Sequence, residues 1–257
     1  MSHNNIVCAR AVAIWLGVAI LTITGVRAQE LKKPAPVALL SKVYFKDTFD
    51  GDKLANHWEV VNPDPDQFVV ENGELLIIAK AVGGLTTAET PNLFRLKRDL
   101  PNGDWVVTIK FKAELQTTKD LLEFGLFTDA ENYILTRFWG TCCYSELHVE
   151  IKKRSGGTNT NFNKRVWKLD TYNYQAFANT VPQPITIKLI KEGRTYRSAI
   201  HFDGQKNDAG EPIWVETELV SSLRPPKQFV LNAAQWEAVS GESLFMIDSI
   251  QIETPEK

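Results

Sequence analysis

Glu146, His148 and Glu150 alternate along the run Tyr144-Ser145-Glu146-Leu147-His148-Val149-Glu150-Ile151-Lys152, which places two carboxylates and an imidazole on one side of an extended strand. Glycoside hydrolysis needs two carboxylates around one bond, one as acid/base and the other as nucleophile or base. At about 3.3 Å per residue the two glutamate Cα atoms stand roughly 13 Å apart. A retaining pair needs its carboxyls about 5 to 5.5 Å apart, so both side chains would have to lean together. A second alternating run, Tyr133-Ile134-Leu135-Thr136-Arg137-Phe138-Trp139, supplies a cation and, on the same face, the rings of Tyr133 and Trp139. Arg137, Tyr144 and His148 together have the parts of a lyase acting on uronate sugars: a cation to neutralise the carboxylate and a Tyr or His to take the proton. A non-catalytic reading uses the same residues as a binding face. Tyr133, Trp139 and Tyr144 would stack on a sugar while Arg137, Glu146 and His148 bind its hydroxyls, with Trp167 extending the platform.

Positioning these groups requires a hairpin. With Gly140-Thr141-Cys142-Cys143 as a four-residue loop, Trp139 faces Tyr144, Arg137 faces Glu146, Leu135 faces His148 and Tyr133 faces Glu150. One face is then mostly apolar and the other carries charge and rings, and a slip of one residue would mix them. Cys142 and Cys143 are adjacent, and neighbouring Cα atoms lie about 3.8 Å apart, short of the usual disulfide range of about 4.4 to 6.8 Å. They are either a strained vicinal disulfide, whose flat ring would extend the binding surface, or two free thiols.

The chain has 257 residues, 44% hydrophobic and 23% charged, an ordinary globular composition. Residues 1–28 read as a signal peptide: Arg10, an apolar run from Ala11 to Ile23, and Val26-Arg27-Ala28 before the cleavage point. That run is too short for the roughly 20 residues of a membrane span. Cleavage leaves 27 Lys plus Arg (29 minus Arg10 and Arg27) against 31 Asp plus Glu, a net charge of -4, which excludes a basic nucleic-acid footprint. The expected product is secreted or periplasmic. Residues 29–42, with Pro34 and Pro36, read as a linker.

From Val43 to residue 254 the signal is almost wholly strand. Trp105, Val107, Ile109 and Phe111 alternate with Val106, Thr108, Lys110 and Lys112, and Asn72-Gly73 marks a hairpin. About fourteen short strands without helical periodicity predict one all-β domain, an antiparallel two-sheet jelly-roll sandwich. Ser155–Asn163 and Thr171–Pro184 break the alternation and read as binding loops or plain surface connections.

Phe45-Lys46-Asp47-Thr48-Phe49-Asp50-Gly51, with Leu54 and Trp58, and Phe245-Met246-Ile247-Asp248-Ser249-Ile250-Gln251-Ile252 resemble the opening and closing strands of the concanavalin A-like lectin and glucanase superfamily. Asn72-Gly73-Glu74-Leu75, Asp104-Trp105-Val106-Val107 and Phe124 to Tyr133 resemble the β-sandwich accessory domain of bacterial β-xylosidases. The resemblance implies a jelly roll whose concave sheet holds a saccharide. It also implies a structural calcium between the first and last strands, held in part by Asp47 or Asp50 and Asp248. Glu146-Leu147-His148-Val149-Glu150 resembles the catalytic strand of retaining β-glucanases, which would make Glu146 nucleophile and Glu150 acid/base. His148 departs from that motif, standing where the family has Asp. Because the superfamily includes binding, catalytic and purely structural members, the fold leaves function open among saccharide binding, hydrolysis or lysis, and a cell-envelope interaction domain.

Overall fold

Alternation of apolar and polar residues sets the strands, which run in chain order as β1 (Ser41–Asp47), β2 (Trp58–Val61), β3 (Phe68–Glu71), β4 (Glu74–Ala81), β5 (Leu93–Asp99) and β6 (Trp105–Glu114). They continue as β7 (Asp120–Asp129), β8 (Asn132–Gly140), β9 (Glu146–Ser155), β10 (Thr158–Lys168), β11 (Ile185–Glu192) and β12 (Thr195–Phe202). The last are β13 (Val215–Glu216), β14 (Val220–Ser221), β15 (Gln228–Gln235) and β16 (Ser243–Pro255). The structure is a computed structural model that describes residues 41–81, 85, 90–116, 119–140, 146–168, 181–235 and 242–256, all within a compact unit spanning Leu39–Lys257. Among the described residues there is no α-helix. The expected leader, residues 1–28, and most of the expected linker lie outside the described residues.

The strands form two antiparallel sheets, the expected jelly-roll sandwich. In the first, β16 lies between β6 and the pair β1 and β4, and the sheet continues through β11 and β12 to the short pieces β13 and β14. The second runs β10-β9-β8-β7-β15-β5-β2. A short parallel contact, Ala234 with Lys80 and Gln235 with Ala81, joins the sheets at a corner. The inner faces interdigitate around Phe111, whose ring lies 5.5 Å from Phe138 of the second sheet and 6.2 Å from Phe245 of its own. A polar staple crosses this core. Thr136 Oγ1 and Ser198 Oγ lie 2.8 Å apart, and Ser198 Oγ donates to the Glu150 carbonyl at 3.0 Å, fixing β8 and β9 against the first sheet.

The structure corrects three sequence expectations about elements. Ser155–Asn163 is no loop: Gly156 and Gly157, at φ 54° and 82°, make a two-residue turn that leads straight into β10. Both positions need the left-handed backbone that glycine adopts without penalty, the usual device of a tight hairpin. Ile213–Leu219 is reduced to the two-residue piece β13, with a second short piece, β14, just after it. Trp58–Val61, which the sequence reading left unassigned, pairs with β5. The expected Thr171–Pro184 loop lies mostly outside the described residues.

Candidate functional site

The register of the central hairpin decides which side chains meet. Arg137 stands opposite Glu150, Trp139 opposite His148 and Tyr133 opposite Arg154, each four residues further along β9 than the sequence register places it. The four-residue turn with Trp139 facing Tyr144 is therefore wrong: Trp139 pairs with His148 and Gly140 with Leu147, and residues 141–145 lie outside the described residues. Since four is even, every side chain keeps its expected face. Ile134, Phe138, Leu147, Val149 and Ile151 enter the core, and Tyr133, Arg137, Trp139, Glu146, His148 and Glu150 share the outer face of the second sheet. Tyr144, Cys142 and Cys143 lie outside the described residues, and with them the possible vicinal disulfide.

A row of polar side chains crosses that outer face: Asn232 of β15, Glu123 of β7, Arg137 of β8, Glu150 of β9 and Asn163 of β10 are successive cross-strand partners. Arg137 NH1 donates to Glu150 Oε2 at 2.8 Å, and its Nε lies 3.0 Å from Glu123 Oε2. The second contact is an ion pair without a hydrogen bond, because the Nε–H direction misses the oxygen. Glu123 Oε1 accepts the Leu85 amide at 3.0 Å, and Glu150 Oε1 accepts Asn161 Nδ2 at 2.9 Å. Glu123 is 1% and Glu150 3% exposed. Burial disfavours the Arg137 charge, but Glu123 and Glu150 outweigh it and hold the guanidinium pKa above its ordinary value. Beside the triad, burial and then the Arg137 charge lower the Lys152 pKa.

The sequence reading missed Glu123. Its signal was a lone carboxylate inside Leu121-Leu122-Glu123-Phe124, a run buried on both faces. Tyr133 is not an open stacking surface: it is fully buried in a small outer-face cluster with Leu85, Leu93, Leu135 and Val230, and its ring stacks on Phe127. Trp167 also leaves the expected platform. A bulge between Arg165 and Trp167 turns it to the core side, against Phe202.

The accessible part of the face lies towards β10. Trp139 packs beside His148 at 5.5 Å, His148 Nε2 faces Glu146 Oε2 at 3.3 Å, and His148 Nδ1 faces Asn163 Oδ1 at 3.3 Å. Arg165 NH1 donates to Glu146 Oε1 at 3.0 Å. Burial raises the Glu146 pKa, but the hydrogen bonds from Arg165 and His148 prevail and the carboxyl ends below its usual range. Asn163 was hidden from sequence reading because the start of β10 looked like a loop, and Arg165 because its register against β9 was unknown.

Of the two glutamates read as a retaining pair, Glu146, the expected nucleophile, is ion-paired to Arg165 and its carboxyl is held below its usual range, and Glu150, the expected acid/base, is buried and ion-paired to Arg137. The carboxylates expected to hold calcium have other partners. Asp47 Oδ1 accepts the Phe49 amide at 2.9 Å, and its Oδ2 meets His57 Nε2 at 2.6 Å and Trp58 Nε1 at 2.7 Å. A carboxylate surrounded by N–H donors does not fit a cation that demands oxygen ligands. Asp50 accepts the Thr48 hydroxyl, and Asp248 lies 3.8 Å from Lys110. Among the described residues no group of three or more His, Cys, Asp or Glu is arranged for a metal.

No protein-family model and no curated protein matches the sequence. Solved structures do match. The GH43 BlXynB protein of Bacillus licheniformis superposes with a TM-score of 0.61 at 12% identity, over 80% of this chain and 38% of that one. The xylan beta-1,4-xylosidase of Bacillus halodurans gives 0.60 at 12% identity, over 81% and 39%. The catalytic domain of an endo-1,3-beta-glucanase (laminarinase) from Thermotoga petrophila gives 0.57 at 10% identity, over 85% and 100%. The chain thus spans under two fifths of the length of these two Bacillus structures. These likenesses establish the fold, a concanavalin A-like jelly roll of the kind that glycoside hydrolases use.

Proposed function

We propose that the chain is an exported saccharide-binding β-sandwich whose site is the outer face of the second sheet around Trp139, His148, Glu146, Asn163 and Arg165. One observation carries this reading. Trp139 Nε1, beside the charged groups of this face, is a buried donor without a hydrogen-bond partner among the described residues, as is the acceptor Asn232 Oδ1 on the same face, while Glu123 Oε2 and Arg137 Nε meet as an ion pair. An unpaired buried donor is costly, and one placed next to accessible charged and amide groups suits a surface that takes a ligand. A ring flanked by charged and amide groups suits sugar, whose faces are apolar and whose edges carry hydroxyls. The glycosidase-type fold supports the same ligand class.

Catalysis is disfavoured by Glu150, the expected acid/base, which is buried and ion-paired to Arg137. Glycan-array binding by the mature chain, lost in Trp139→Ala with the fold intact, is the expected result. Release of reducing sugar that disappears in Glu150→Gln would replace this reading with hydrolysis, and absorbance from unsaturated products would replace it with lysis. An array with no bound glycan would leave an envelope interaction domain. Export is tested by N-terminal sequencing of the secreted product, expected to begin at Gln29. Among the described residues no helix is long and apolar enough to cross a membrane.

A further inference from the structure

At the β6–β11–β12 end of the first sheet, three adjacent strands aim Trp105, Lys191 and Tyr196 into the space between the sheets. Lys191 is the cross-strand partner of both Trp105 and Tyr196. It continues the inward series Ile187, Leu189, Lys191, whose first two members are fully buried, and is itself only 9% exposed. A lysine at a core-facing position is rare and needs compensation. Here Nζ donates to the Gly103 carbonyl at 2.6 Å and to the Asn102 carbonyl at 3.3 Å. An ammonium has three donors, so one remains, and no carboxylate among the described residues pairs with it. Tyr196 is 1% exposed and its hydroxyl has no partner among the described residues.

Lys191 and Tyr196 line one small pocket of about 60 Å³ with Trp105, Pro225, Pro226 and a second lysine, Lys227. Its lining combines two cations and a hydroxyl with apolar rings, Leu100 and Leu126. We infer that this cavity binds the carboxylate end of a small organic acid, with the carboxylate between the Lys191 ammonium and the Tyr196 hydroxyl and the carbon end against Trp105 and the two prolines. An anion satisfies the spare ammonium donor and the orphaned hydroxyl at once, in a place where such bonds are strong. Burial pushes the Tyr196 pKa to about 12, which keeps the hydroxyl protonated and able to donate. The site is separate from the outer-face residues of the second sheet and does not depend on the saccharide reading.

The test is an amide and indole NMR titration of the mature chain with sodium acetate and sodium propionate, with sodium chloride and n-propanol as controls. Saturable shifts at Trp105 and residues 191–196 with the carboxylates alone, weakened about tenfold in Tyr196→Phe and lost in Lys191→Met, are the expected result. Shifts of equal size with chloride or propanol, no saturable shift, or undiminished affinity in Tyr196→Phe would overturn the assignment. Tyr196→Phe keeps the ring in place, so it decides the matter even if Lys191→Met does not fold.

Discussion

Arg137 and Glu150 face each other across β8 and β9 with 2.8 Å between NH1 and Oε2, and the same guanidinium reaches back to Glu123 on β7. Three charges are thereby buried in consecutive strands at the centre of the sheet. The value of such a cluster is asymmetric: removing one member strands the others in low dielectric, whereas replacing the whole by apolar groups of similar volume costs little.

Arg137→Met is accordingly expected to destabilise by about 3–5 kcal/mol, a fall in melting temperature on the order of 10 °C. The triple variant Glu123→Leu, Arg137→Met, Glu150→Leu should recover most of that loss. Thermal unfolding of the two side by side checks the claim, and a triple variant no more stable than Arg137→Met would refute it.

Glu146 gives a pH signature. Its folded pKa lies below the ordinary value of 4.5, so its stabilising contribution is complete above that value and disappears as pH falls through the lower folded value. The melting difference between wild type and Glu146→Gln should therefore be present at about pH 6 and shrink as pH falls below the ordinary value of 4.5. Since Arg165 is largely exposed, the pair is worth at most about 1 kcal/mol, or roughly 2–4 °C.

Asp47 tests the metal question. Its carboxylate takes the Phe49 amide, His57 and Trp58, so Asp47→Asn should cost about 1.5–3 kcal/mol through charged hydrogen bonds. That loss should be the same with calcium and with chelator. A calcium-dependent loss would show that Asp47 serves a metal after all.

Gly125 sits in β7 at φ +150°, and a Cβ there would come 2.3 Å from the Ile134 carbonyl oxygen of the neighbouring strand. Gly125→Ala must shift backbone, and a loss of roughly 1–3 kcal/mol in urea unfolding is expected.

How much of this was legible beforehand depended on which rule each residue obeyed. Trp105 to Phe111 alternate plainly, and the resulting strand is β6. The hairpin faces were legible because side-chain direction depends on parity alone, while the partners were not, because loop length sets register and no residue type fixed it. Thr158–Asn163 looked like a loop because an edge strand with an exposed face tolerates Thr and Asn. Trp167 was misplaced by a bulge, which changes parity without a clear mark in the sequence. Glu123 escaped because β7 is covered on both sides, and such strands carry no alternation to read a face from. Charge pairs across strands, such as Arg137 with Glu150, become visible only once register is known.

The two-residue period of the central hairpin also sets how its tip can be re-engineered. Adding or deleting residues in pairs between Gly140 and Leu147 would slide the strands yet keep both surfaces sorted, whereas an odd change that shifted the pairing would turn β9 inside out, driving His148 and Glu150 into the hydrocarbon interior. Peptide grafts at this tip thus have a simple arithmetic constraint, and libraries of even length are the ones worth building.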